Sequence, residues 1–82
     1  MVKITRKELE TILVRCEAAT SGPWQSFIEG RDHTSGSSFI RTGGEDVELS
    51  GATEKDQDFI AQARQDLPRL VAKVMRLRGW AA

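Results

Sequence analysis

The chain has one cysteine, one histidine and two prolines in 82 residues. A single cysteine excludes an internal disulfide framework. One histidine and one cysteine cannot build a zinc site of His and Cys ligands within one chain. No apolar run reaches the about 18 residues of a membrane-spanning helix, so no membrane partner is expected. The start, Met-Val-Lys-Ile-Thr-Arg-Lys, has no apolar core of a secretion signal, and the expected compartment is the cytoplasm. Net charge is also missing, because 12 basic residues cancel 12 acidic ones. A protein held to DNA or RNA by general electrostatics needs an excess of Lys and Arg on one face, so nucleic acid is not the expected partner. One domain is expected at this length. A domain this small buries roughly 60–65% of its unfolded surface, and oligomerisation would add to its modest stability.

The most ordered pattern present is the stretch 53–79. Its apolar residues Ile60, Ala63, Leu67, Leu70, Val74 and Leu77 are spaced three, four, three, four, three. That is the spacing of a helix packing along one narrow seam. Phe59 and Val71 widen the seam. Thr53 is placed to cap the start, with Glu54, Asp56 and Asp58 in the first turns. Arg76 and Arg78 precede Gly79, the expected basic last turn and C′ glycine. Such a helix is about 40 Å long if straight, against a radius of gyration of about 12 Å for a compact domain of this size. It must bend, project or meet a partner chain. Pro68 removes a backbone donor and collides with the carbonyl of Arg64, which predicts a kink or a re-capped break near 65–68. The seam, through Ile60, Leu67, Leu70, Val74 and Leu77, is the expected interface of a homo-oligomer.

The remaining elements follow from local signals. Thr5-Arg6-Lys7-Glu8 fits a capping box, with Ile4 and Leu9 as a hydrophobic staple. Leu9, Ile12, Leu13 and Cys16 give the following helix, about 5–20, one apolar face. Cys16 reads as a small buried hydrophobe. Gly22 and Pro23 stop the helix. Weak strand patterns lie at about 24–29, 38–42 and 46–50, separated by a polar loop over 30–37 and by Gly43-Gly44. The expected fold is therefore α+β: an N-terminal helix, a three-stranded antiparallel meander and a long kinked C-terminal helix, in the order α-β-β-β-α. The helices supply the layer that so small a sheet requires.

No catalytic constellation can be assembled. A lone histidine in a polar loop supports no Ser, His and Asp arrangement. Gly43-Gly44-Glu45-Asp46 lacks the helix start and the Lys-Ser/Thr of a phosphate loop. Glu45, Asp46 and Glu48 lack the full ligand spacing of a calcium loop. The expectation is a binding protein, not an enzyme, with no cofactor and no metal. Its candidate ligand-binding residues are Trp24, Arg31, His33 and Arg41. Trp24 reads either as a plug between helix and sheet or as a stacking platform for a base. Arg31 and Arg41 offer bidentate contacts to phosphate or plain surface charge. His33 reads as an exposed loop side chain or a ligand contact. Arg69, Lys73 and Arg76 form either a solvated basic face or an anion-binding stripe. Trp80, beyond Gly79, is expected to touch another chain or the body of the domain.

Two stretches carry a resemblance. Ala19-Thr20-Ser21-Gly22-Pro23-Trp24 is similar to an Ala-Thr-Pro-Gly-Pro-Trp signature of small phage and prophage proteins. Asp58-Phe59-Ile60-Ala61-Gln62-Ala63-Arg64-Gln65-Asp66-Leu67-Pro68-Arg69-Leu70 resembles a segment near the end of the same proteins. Together they resemble the Ead-like family, with a strand-rich middle between the two motifs. Ser21 departs from the usual first proline, and the middle does not align. The resemblance implies an origin among phage accessory genes and a stoichiometric action on a host pathway. By analogy with unrelated phage accessory proteins, the implied partner is a small, cyclic nucleotide signal of host defence. The alternative is a host defence protein, inhibited or recruited through the C-terminal helix.

Overall fold

The computed structural model describes residues 3–80. Helix α1 spans Arg6–Ala18, strand β1 Gln25–Phe27, strand β2 Phe39–Arg41 and helix α2 Glu54–Leu77. The class is α+β. Thr5 closes the expected capping box on α1: its hydroxyl accepts from Glu8 N, and Glu8 Oε1 accepts from Thr5 N, both at 3.1 Å. A second box opens α2, where Thr53 and Asp56 exchange the same pair of bonds at 3.1 Å. Two boxes satisfy four of the amides that a helix start leaves without partners. At the far end Gly79 takes φ +71°. Trp80 N donates to Met75 O at 2.8 Å and Gly79 N to Arg76 O at 3.1 Å, a Schellman closure. Trp80 then folds back against the Leu9, Val71 and Met75 cluster.

Helix α2 is a spine with two separate packings. Its C-terminal half meets α1, where Leu9, Val71 and Met75 are buried with Ile4, Ile12, Leu13 and Val74 around them. Its N-terminal half meets the sheet, where Ile28, Ile40 and Ala61 are buried. The helix runs unbroken through Pro68, so no re-capped break interrupts it. Its buried residues are Gln57, Ala61, Val71 and Met75. The apolar seam lies to one side of that face. Ile60, Leu67, Leu70 and Leu77 are exposed to 38, 46, 60 and 72%, with Phe59 at 74%. Val74 alone among the five expected interface residues is half-buried against the core.

The expected three-stranded meander is corrected to two strands. β1 and β2 pair antiparallel with Ser26 opposite Ile40 and Phe27 opposite Phe39. The third segment is reduced to one bridge, in which Ile40 and Val47 exchange backbone bonds of 2.8 and 2.9 Å. Side chains take over where the ladder would continue. Thr42 Oγ1 donates to Glu45 O at 2.7 Å and accepts from Gly44 N at 2.9 Å. Ser38 Oγ accepts from Glu29 N at 3.0 Å, and Ser37 Oγ donates to Glu48 Oε1 at 3.2 Å. Serine and threonine hydroxyls compete with ladder bonds in this way. Gly43 N donates to Ser21 O at 2.7 Å. A Cβ on Gly43 would lie 2.7 Å from that same carbonyl oxygen, so this turn needs glycine for close approach.

Candidate functional site

Strand alternation sorts the sheet residues. Ser26 and Ile40 face α2. Gln25, Phe27, Phe39 and Arg41 lie on the opposite, open face. There the Phe27 and Phe39 rings stack at 5.2 Å between centroids and 16° between planes. The Arg41 guanidinium carbon sits 4.7 Å from the Phe27 centroid. Arg41 is exposed, and its guanidinium makes no ion pair among the described residues. The guanidinium thus lies over one ring of the aromatic pair, which brings apolar surface and exposed, directed donors together on this face.

The four expected ligand residues do not share one surface. Trp24 directly precedes β1, at the same end of the sheet as Arg41. Its Nε1 donates to Thr20 O at 2.9 Å. Its backbone amide donates to Gln65 Oε1 at 2.6 Å, and its carbonyl accepts from Gln65 Nε2 at 3.1 Å. Trp24 thus locks the end of α1 to α2. It also borders an open groove of about 370 Å³ shared with Gln25, Ser26, Asp58, Ala61 and Gln62.

Arg31 and His33 lie in the β1–β2 loop, beyond the other end of the sheet. Arg31 reaches Asp58 with two bonds of 2.8 and 3.0 Å and Asp32 with two of 3.0 and 2.7 Å. The guanidinium holds the Asp58 carboxyl down at about 2, helped by the Ser26 hydroxyl. It also lowers Asp32, whose carboxylate accepts from Ile28 N at 2.8 Å. The carboxylates in turn push Arg31 above its ordinary value. Arg31 is therefore a tie between loop and helix, and four of its five N–H donors are engaged by the two carboxylates. His33 is exposed at φ +58°, in the left-handed region.

The basic residues of α2 form a second surface. Asp66, Arg69, Leu70, Ala72, Lys73 and Arg76 line a shallow groove of about 630 Å³. Among the described residues, no group of three or more His, Cys, Asp or Glu could hold a metal ion. No helix among them is long and apolar enough to cross a membrane. No family model, curated protein or solved structure matches the chain.

Phe27 and Phe39 were absent from the sequence-derived site. A signal for them existed: Phe39 and Arg41 are two apart in one expected strand, so they share a face. The register that sets Phe27 opposite Phe39 depends on a long loop, over 28–38, whose length fixes no pairing.

Proposed function

We propose that the protein is a non-catalytic binding protein that captures a small planar anion of the nucleotide class. The observation behind this is the Phe27–Phe39 stack with the exposed Arg41 guanidinium over the Phe27 ring on the open sheet face. The rings receive a base and the guanidinium receives a phosphate, as stacking and bidentate pairing require. Of the four residues first considered, Arg41 carries this role. Trp24 lies at the same end of the sheet. Arg31 and His33 belong to the loop. The resemblance to Ead-like proteins adds the setting: a phage accessory protein in the bacterial cytoplasm, removing a cyclic nucleotide signal of host defence one molecule at a time. No cofactor enters this reading.

The test is a thermal shift of the purified protein against cyclic di- and trinucleotides, cyclic ADP-ribose isomers and NAD. A ligand at about 100 times its dissociation constant adds about 2.7 kcal/mol, which is several degrees for a domain of this size. The reading predicts a shift with one class, lost in Arg41→Ala. No shift across the panel contradicts it.

A second reading rests on the groove over Asp66, Arg69, Lys73 and Arg76. Here an acidic host protein docks on the basic half of α2 and is inhibited or recruited. Pull-down of one host protein, lost in Arg69→Glu and indifferent to nucleotides, separates it from the first.

A further inference from the structure

We infer that a second copy of this chain covers the exposed seam of α2, with the two helices antiparallel. This goes beyond the ligand reading and does not depend on it. The first observation is area. A compact monomer of 9.1 kDa exposes about 4,900 Å² by mass scaling, whereas this chain exposes 6183 Å². The excess is comparable with the about 800 Å² that each partner buries in a stable interface. The second is shape. The chain measures 47 × 29 × 18 Å, thin along one axis, and the exposed Phe59, Leu67, Leu70 and Leu77 all belong to one helix. The third is spacing. Ile60, Ala63, Leu67, Leu70, Val74 and Leu77 repeat as a helix–helix seam does, and α1 leaves most of it bare.

Charge fixes the direction. Over 54–66, α2 has Glu54, Asp56, Asp58 and Asp66 against Lys55 and Arg64. Over 67–78 it has Arg69, Lys73, Arg76 and Arg78 and no acid. A parallel pair would stack the basic halves together. An antiparallel pair sets each acidic half against a basic half and opposes the helix dipoles. A two-fold axis between Leu67 and Leu70 then places Leu67 on the partner's Leu70, Ala63 on Val74 and Ile60 on Leu77, each contact occurring twice.

The flanks agree with this register. Asp66 and Lys73 each directly precede a seam residue, seven apart, on the side away from α1. On the other flank Val71 is buried, and Arg64 Nε donates to Thr20 O at 3.1 Å. In an antiparallel pair the open flanks face each other, so Asp66 of each copy meets Lys73 of the other.

The experiment is the solution mass and dissociation constant of the full chain and four variants by sedimentation. The wild type is expected as a dimer. Asp66→Lys and Lys73→Asp each turn both ion pairs into like-charge contacts, and each is expected to weaken the dimer by roughly five- to thirtyfold. The double variant restores the pairs with signs exchanged and is expected to recover most of the affinity. Leu70→Asp, at a site already exposed, is expected to give a folded monomer. A monomeric wild type overturns the inference, including one that captures a foreign protein on the same seam. A dimer insensitive to Leu70→Asp overturns the surface, and a double variant as weak as the singles overturns the antiparallel register.

Discussion

Gln57 sits where the sheet meets α2, and its amide nitrogen reaches Ser26 Oγ at 2.9 Å and the carbonyls of Phe39 and Phe27 at 3.0 and 3.2 Å. Two strands and one helix converge on a single buried polar group. Replacing it by Leu keeps most of the volume and strands these acceptors, so Gln57→Leu is expected to cost about 1–3 kcal/mol in a denaturant melt. Two turns along, Gln65 plays the same part for Trp24. Neither glutamine was legible in the sequence, because an apolar-spacing reading passes over polar residues on a buried face. Asp58 was legible as an acid suited to a helix start, but its tie to Arg31 spans 27 positions and carries no local signal. That tie has a pH signature. The folded-state carboxyl titrates at about 2 against an ordinary value of 3.8, a depressed value. Its contribution is therefore present above pH about 4 and is lost as pH falls towards about 2. Asp58→Asn is expected to flatten the acid limb of stability against pH, and an unchanged limb would contradict the tie.

At the scale of elements, the helices were readable and the sheet was half-readable. Capping boxes, a C′ glycine and periodic apolar faces are local, so Thr5, Thr53 and Gly79 announced both helix ends of α2 and the start of α1. Thr53→Ala is expected to lower stability by about 0.5–2 kcal/mol, read from the denaturation midpoint. The third strand is cut to one bridge where the Thr42 hydroxyl takes the Gly44 amide and the Glu45 carbonyl, backbone groups a longer ladder would have used. Gly43-Gly44 does lie in the turn between the antiparallel-bridged Ile40 and Val47, and Gly43 is needed as well for its approach to Ser21. Gly43→Ala should therefore destabilise the fold more than Gly30→Ser, a left-handed position where a Cβ meets nothing within 4 Å. Comparable melting temperatures for the two variants would contradict the close-approach account. The seam of α2 was visible in the spacing, but the face that the chain itself buries is the neighbouring one. Small or polar Gln57 and Ala61 give that face little apolar signal.

At the scale of the molecule, α2 organises everything and is left half covered. The radius of gyration is 15.3 Å, against about 12 Å for a compact chain of this length. Two small cores on one side of a 24-residue helix leave the domain thin and its seam in water. The inferred second copy along that seam would supply the missing layer and would leave the Phe27, Phe39 and Arg41 face uncovered. Because a partner that binds the folded state stabilises it by mass action, the thermal midpoint of such a domain depends on its own concentration. The measurement to make is the melting temperature of the wild-type chain over a wide dilution series. A midpoint that climbs steadily with concentration, and stops climbing in Leu70→Asp, is the predicted result. A wild-type midpoint that stays flat across the series would contradict the account.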